Sequence, residues 1–183
     1  MKLINKGFTL IELLIVIAIL GTLAVVVLVA IDPVQQLAKT RDSGRLSTVT
    51  QLGRSVQAFA TSNEGEMPNN DAGGNCATNT GKWITDCLVA SGDIGNAPTL
   101  PAYTAGGAAC NTSGGGRRDI ENNICLGVAD VRAVVYAGAE ADANISKCNS
   151  GELAYFVYAV HLGRGGLVCT GVAGTVPIDP VFK

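Results

Sequence analysis

The residues with the clearest chemistry are Phe8 and Glu12, at the start of a long apolar segment. Between Phe8 and Ile31 the chain carries one charged side chain, the Glu12 carboxyl. An ionised group inside a bilayer costs roughly 2.5–3.5 kcal/mol unless it finds a partner. Cleavage after Gly7 would place a new α-amine on Phe8, and such an amine is largely cationic at neutral pH. The spacing predicts a charge pair, within one chain or between the helices of two adjacent copies.

The apolar segment that holds Glu12 has the length and composition of a transmembrane helix. Its 24 residues span about 36 Å at about 1.5 Å each, enough to cross a hydrocarbon core of roughly 30 Å. Lys2 and Lys6 precede it, so the positive-inside rule predicts a cytoplasmic N-terminus with the rest of the chain outside. The alternative is a secretory signal cleaved after Leu28-Val29-Ala30. The length of the segment, its glutamate and the placement of the lysines count against that alternative.

The segment Lys6-Gly7-Phe8-Thr9-Leu10-Ile11-Glu12, followed by an unbroken apolar stretch, resembles the N-terminus of type IV pilins and pseudopilins. In that family a prepilin peptidase cuts on the cytoplasmic side and methylates the new N-terminal residue. The resemblance implies that Gly7 precedes the cut and that Phe8 becomes the methylated N-terminus. It also implies that Glu12 meets the N-terminus of a neighbouring subunit.

Two further positions concern the flexibility of this helix. Gly21 matches in spacing the glycine where the helices of some family members loosen in the filament. The proline that usually falls before the end of the apolar run is absent, and Pro33 lies just after it. Because proline removes a backbone donor, we expect a kink near Ile31–Pro33 in a helix that runs from Phe8 to about Ser62.

The second half of this predicted helix is amphipathic. Apolar residues from Val34 to Phe59 keep largely to steps of three and four, the helical period. Asp42 and Arg45 have the favourable spacing of three. A solvated helix face is the expected role of its charges, and a stripe that contacts DNA is the alternative. The charged residues considered are Lys39, Arg41, Asp42, Arg45 and Arg54.

The composition describes a mildly acidic chain with enough residues for one domain and an anchor. It has 183 residues, with 13 basic and 15 acidic side chains, for a net charge of −2. Removal of residues 1–7 deletes two lysines and no acid, which leaves 11 basic against 15 acidic side chains and a net charge of −4. Such a chain is poorly suited to bulk nucleic-acid binding.

Six cysteines follow the apolar segment, on the predicted exterior side, where disulfides form and persist. We expect three bridges, and pairing of consecutive cysteines is favoured because each bridge then closes one loop rich in glycine and asparagine. A zinc site is disfavoured, because the chain has no Cys-x-x-Cys pair and one histidine. The candidates are Cys76, Cys87, Cys110, Cys125, Cys148 and Cys169.

The region from Asn63 to about Asp130 is rich in turn residues, with short buried anchors expected at Trp83-Ile84 and Cys87-Leu88-Val89. Four side chains there offer oxygen ligands for calcium. Their spacing differs from that of an EF-hand loop, so turns are expected rather than a metal site. These four are Asn69, Asn70, Asp71 and Asn75.

The final third predicts an antiparallel sheet with strands Arg132–Ala137, Leu153–Leu162 and Gly166–Ala173, which are rich in Val, Tyr and Phe. We expect one face of this sheet to pack on the outer half of the long helix. His161 lies near a strand end with no evident carboxylate or nucleophile at a fixed spacing. A structural role is therefore expected for it rather than a catalytic one.

These patterns predict an α+β fold in which a long N-terminal helix, transmembrane and then amphipathic, packs on a small antiparallel sheet. The predicted organisation is a leader at residues 1–7, an assembly helix at 8–31, its amphipathic continuation at 32–62 and a disulfide-bonded head at 63–183. No catalytic set, cofactor or small-molecule substrate is evident, so we expect a structural protein and not an enzyme.

The resemblance implies a structural subunit of a type IV pilus-like filament. It implies as partners a prepilin peptidase, other copies or related pilins, an inner-membrane assembly platform and membrane lipid. The subunit would begin as a single-pass cytoplasmic-membrane protein and then enter an extracellular pilus or a periplasmic pseudopilus. Two alternatives stay open: a pseudopilin of a type II secretion or DNA-uptake machine, and a membrane-tethered binding module that does not polymerise.

Overall fold

The computed structural model describes residues 7–69, 71–78, 80–100, 117–171 and 176–183. The predicted leader, apart from Gly7, lies outside these ranges. The chain divides into two compact units, Met1–Leu37 and Ala38–Lys183, and each is described by itself.

The first unit consists largely of helix α1, Leu10–Ile31. Asp32 ends this helix with a φ of 44°, in the left-handed region that aspartate tolerates better than most residues. Helix α2, Pro33–Ser62, begins at the next residue, and proline is favoured in a first helical turn because it needs no N–H partner there. The continuous helix that we predicted is therefore interrupted by one residue, at the position of the expected kink.

Within the second unit, α2 supplies one layer of the core. Val49, Leu52, Val56 and Phe59 are buried at the spacing of a single helix face, as the apolar pattern predicted. Gly53 lies among them, and a Cβ atom at this position would overlap the ring of Tyr158. Glycine thus allows a close approach of helix and sheet.

A short π-helix, Ile84–Val89, packs in the same apolar cluster as α2. Trp83, Ile84 and Leu88 are fully buried, which confirms the predicted anchors. The buried Glu121 carboxylate accepts hydrogen bonds from the N–H groups of Ile84 and Thr85 at 2.6 and 3.0 Å. This carboxylate therefore satisfies backbone donors at the start of the π-helix.

A second buried carboxylate, that of Asp86, organises the chain before the π-helix. It accepts hydrogen bonds from the hydroxyls of Thr78 and Thr80 and from the backbone N–H groups of Thr80 and Lys82. Burial raises the pKa of this carboxyl, but the hydrogen bonds outweigh burial and hold the pKa below its ordinary value. Asp86 is therefore charged at neutral pH.

Among the described residues, the sheet has five antiparallel strands in sequential order. They are β1 Arg117–Glu121, β2 Ile124–Ala129, β3 Arg132–Gly138, β4 Leu153–Ala159 and β5 Arg164–Thr170. The prediction of three strands was short by two, because β1 and β2 lie in the region that we expected to consist of turns. Asn122 and Asn123 join these two strands with φ values of 52° and 66°, as a two-residue hairpin turn requires.

Both faces of the sheet are buried. Ala133 and Val135 of β3 and Tyr158 of β4 share a cluster with the apolar face of α2, as predicted. The neighbouring side chains on these strands point the other way and form a second cluster. That cluster is covered by Val176, Ile178 and Phe182 and contains Val134, Tyr136, Tyr155, Val157 and Val168. Residues 176–183, which we call the strap, thus close the second face.

Lys39, Arg41 and Arg54 on α2 are exposed, as predicted, but the two other charges considered on this helix are not on a solvated face. Asp42 and Arg45 are each 2% exposed. The Asp42 carboxylate accepts hydrogen bonds from the N–H groups of Glu140 and Ala141 at 2.8 and 2.9 Å and from Asn144 Nδ2 at 2.7 Å. The Arg45 guanidinium lies 2.5 Å from Glu140 Oε1 and 3.4 Å from Asp42 Oδ1. The prediction was wrong for Asp42 and Arg45, because the connection from β3 to β4 packs over them.

Candidate assembly site

The candidate site is the first turn of α1, where Thr9 and Glu12 form a reciprocal cap. Glu12 Oε2 accepts hydrogen bonds from the Thr9 N–H at 2.9 Å and from the Thr9 hydroxyl at 2.7 Å. In return, Thr9 Oγ1 accepts a hydrogen bond from the Glu12 N–H at 3.3 Å. The acidic side chain also lies at the end of the helix that carries partial positive charge. This turn therefore satisfies donors that a helix N-terminus leaves without partners.

The cap was not part of our predictions, although its signal is local. A Thr-x-x-Glu spacing directly before an apolar run is the pattern of a capping box. It explains why α1 begins at Leu10 and not at Phe8, since Thr9 takes an extended conformation with a ψ of 148°. The cap orients the Glu12 carboxylate before any second chain is present.

Gly7 and Phe8 lie just before this turn, outside the helix and exposed to solvent. The Phe8 side chain is 74% exposed, and a Cβ atom at Gly7 would meet no other atom within 4 Å. No packing within the described chain thus accounts for glycine at position 7.

The Glu12 carboxylate uses only one of its two oxygens in the cap. Both side-chain and backbone donors of Thr9 bond to Oε2, so the lone pairs of Oε1 face no donor of this turn. A carboxylate oxygen in that state can accept a charge-assisted hydrogen bond from an ammonium group. The α-amine that cleavage would create on Phe8, in this chain or in an adjacent one, is such a group.

The rest of α1 presents an apolar surface with no buried residue. It forms the first part of the single stretch, among the described residues, that is long and apolar enough to cross a membrane by length and composition. A Cβ atom at Gly21 would meet open space, so no contact with another described residue requires glycine there. The expected flexibility at Gly21 remains a prediction.

The predicted cysteine sites are brought together in pairs. Cys76 bonds to Cys87 and Cys148 bonds to Cys169, with Cα–Cα distances of 4.6 and 5.5 Å. Both pairs join consecutive cysteines, as predicted. Cys125 is also disulfide-bonded, whereas Cys110 lies outside the described residues. No cysteine in the described part of the chain is a free thiol.

The oxygen ligands considered for calcium serve their own loop. Asn75 Oδ1 accepts a hydrogen bond from the Asn69 N–H at 2.8 Å, and Asn69 Oδ1 accepts one from the Asp71 N–H at 3.0 Å. Such bonds are typical of turns, and Asn70 lies outside the described ranges. Among the described residues, Cys148, Glu152 and Cys169 are the group close enough to share a metal ion. Its two sulfur atoms are joined in a disulfide, so they are not thiolate ligands.

Comparison with known proteins places the most specific similarity at the same end of the chain. The family model described as the prokaryotic N-terminal methylation motif matches residues 3–28. A fimbrial protein of Neisseria meningitidis serogroup A / serotype 4A (strain DSM 15465 / Z2491) is 36% identical over 102 residues, which cover 51% of this chain and 55% of the relative. The chain thus spans about half the length of that relative, and no solved structure matches it. The chain carries the prokaryotic N-terminal methylation motif, and its resemblance to the type IV pilin and pseudopilin family is confirmed.

Proposed function

We propose that this chain is a structural subunit of a type IV pilus-like filament, assembled after cleavage between Gly7 and Phe8. The observation that supports this most directly is the surface of α1, which is apolar, has no buried residue and carries one charge, at Glu12. Such a surface is stable in lipid before assembly and against other helices of the same kind afterwards. The methylation motif at residues 3–28 supports the same function.

The leader keeps the subunit in the membrane until it is removed. Lys2 and Lys6 hold the N-terminus on the cytoplasmic side, and their charges would be costly inside a bundle of apolar helices. A prepilin peptidase cuts after Gly7 and methylates Phe8. The new amine then becomes available to a carboxylate.

The register between subunits is set by the pairing of Phe8 with Glu12. Each Glu12 carboxylate neutralises the amine of Phe8 in a neighbouring subunit, so the charge that was costly in lipid becomes a specific contact. Thr9 holds one carboxylate oxygen and thereby aims the other at the neighbour. The heads then form the outer surface of the filament.

Substitution of Glu12 tests the register role. Glu12→Ala and Glu12→Gln leave the apolar length of the helix intact, so we expect normal insertion and cleavage but at least a tenfold loss of filaments. Glu64→Gln removes one acid from an exposed loop of the head and serves as the matched control. Normal filament yield from both Glu12 variants would refute the register role.

The N-terminal mass tests processing separately. A chain recovered from membranes and from sheared surface material should begin at N-methylated Phe8. An intact Met1, or a start near Ile31, would refute the proposed processing. Long surface fibres labelled with an antibody to the head are expected for a pilus. Short envelope-bound assemblies would indicate a pseudopilin, and monomers in mild detergent would indicate a tethered module.

A further inference from the structure

The strap, residues 176–183, is held on the sheet differently from the strands beneath it. It contains no helix or strand. Val176 and Pro180 are buried, but Ile178 and Phe182 are only partly buried, and Val181 is 79% exposed. By contrast, β4 and β5 are paired along their whole length. A segment with few buried side chains and little regular backbone pairing belongs to the low end of local stability.

The contacts of Asp179 fasten the middle of the strap. Its Oδ2 lies 2.6 Å from Arg132 Nη1, at the start of β3, and its Oδ1 lies 3.0 Å from His161 Nε2, in the turn after β4. The sequence spacing did not indicate this carboxylate as a partner of His161. One acidic side chain therefore joins the strap to two elements of the sheet.

The contact between Arg132 and Asp179 is open to solvent, whereas the His161 side chain is only 15% exposed. The side chains of Arg132 and Asp179 are 43% and 63% exposed, so salt screens their attraction effectively. Nδ1 of His161 is buried and has no hydrogen-bond partner among the described residues. The desolvation of this nitrogen therefore disfavours the closed arrangement.

Beyond Asp179, the last described contacts are modest. The Lys183 N–H donates to the Leu167 carbonyl of β5 at 2.9 Å. The guanidinium of Arg164 lies 5.0 Å from the centre of the Phe182 ring, a cation–π contact that is weak at an exposed site. Phe182 also fills the space beside Gly166, where a Cβ atom would come within 2.9 Å of the ring.

We propose that the strap is a releasable cover fastened by Asp179, and that it detaches more often at high ionic strength while the sheet beneath it stays folded. Release uncovers the apolar face that Tyr136, Tyr155 and Val157 build on β3 and β4. The head thus has a closed state and an open state that differ in one exposed apolar surface. The opening of the strap does not depend on the assembly role proposed for α1.

Hydrogen–deuterium exchange on the full chain in detergent micelles tests the proposal. The Lys183 amide reports the strap, and peptides from β4 report the sheet. In the unsubstituted chain we expect faster exchange in the strap than in β4, and a further rise of about three- to tenfold when salt is increased from about 0.01 M to about 1 M. Asp179→Asn should produce the same rise at low salt and should abolish the response to salt. Asp130→Asn makes the same change at the turn between β2 and β3 and should keep the response.

The outcomes separate a releasable strap from an integral part of the core. Unchanged β4 exchange in every sample, together with the strap response, supports the proposal. Equal exchange of strap and β4 in the unsubstituted chain would overturn it, because the strap would then open only with global unfolding. The proposal would also be overturned if Asp179→Asn left the exchange rate of the strap unchanged, or if it raised the exchange rate of β4 as much as that of the strap.

Discussion

Replacement of Asp42 by alanine should remove the centre of the buried charge network that joins α2 to the connection between β3 and β4. The carboxylate accepts hydrogen bonds from two backbone N–H groups, those of Glu140 and Ala141, and from the Asn144 side chain. It also lies 3.4 Å from the Arg45 guanidinium, which is 2% exposed. Asp42→Ala therefore leaves three donors without this acceptor and a buried guanidinium with less compensating charge.

The magnitude follows from this burial. Breaking a buried ion pair by removing one partner costs roughly 3–5 kcal/mol. Glu140 still lies 2.5 Å from Arg45, which favours the lower half of that range, so we expect a loss of about 3–4 kcal/mol. Typical domains have a total stability of about 5–15 kcal/mol. Asp42→Asn keeps an acceptor oxygen and should cost less than Asp42→Ala.

Urea unfolding of the full chain in detergent, followed by tryptophan fluorescence, measures this loss. Trp83 is the single tryptophan and is fully buried in the head, so its emission reports the relevant unit. With a slope of about 1–3 kcal/mol per molar urea, the midpoint should fall by about 1 M or more. Lys39→Ala, at an exposed position of the same helix, should change the free energy of unfolding by less than about 0.5 kcal/mol. A cost below about 1 kcal/mol for Asp42→Ala would refute the assigned role of the network.

Three further predictions concern the head. Gly53→Ala places a methyl group against an aromatic ring of β4 and should lower the free energy of unfolding by about 1–3 kcal/mol. Gly44→Ala, whose methyl group meets open space on the same helix, should raise it by up to about 1 kcal/mol. Equal urea midpoints for the two variants would contradict this prediction. The Asp86 pKa is lowered from 3.8, so its contribution is full above that pH and disappears as the pH falls through the lower folded-state pKa. Asp86→Asn should therefore flatten the acid limb of the stability curve, and parallel limbs would count against the assignment. Replacing Cys148 and Cys169 together by serine opens a loop with a sequence separation of 21 and should cost about 2–4 kcal/mol in the same urea assay. The difference from the unsubstituted chain should disappear when both chains are reduced.

Elements with a strong local pattern could be predicted from the residues alone. Helix α1 follows from an uninterrupted apolar run, and the buried face of α2 follows from apolar residues at helical spacing. The cores of β3 and β4 follow from their content of valine and aromatic residues, and β5 follows from the glycine-rich turn and the Leu167-Val168 pair after β4. A disturbance of the helix near Asp32 follows from the proline after it, because the proline ring disfavours the α conformation at the preceding residue; the left-handed φ of 44° at Asp32 does not follow from this rule. The cap formed by Thr9 and Glu12 could also be predicted locally, since it depends on a spacing of three residues.

Elements that depend on distant partners could not be predicted in this way. Strands β1 and β2 have little alternation of their own; they pair with each other, and β2 pairs in turn with β3. Asp42 looked like a surface residue because its backbone partners lie 98 and 99 residues later in the chain. The contact between His161 and Asp179 likewise depends on where the strap crosses the sheet.

One physical difference separates the features that could be predicted from those that could not. The apolar character, charge and capping of the N-terminal segment are properties of neighbouring residues, so the long apolar helix, its single glutamate and the methylation motif can be recognised in the sequence. Burial of a charge and coverage of a sheet face depend on residues that meet only after the chain has folded back on itself. The tertiary structure alone therefore decided that Asp42 and Arg45 are core residues, that the sheet has five strands and that the strap closes its second face.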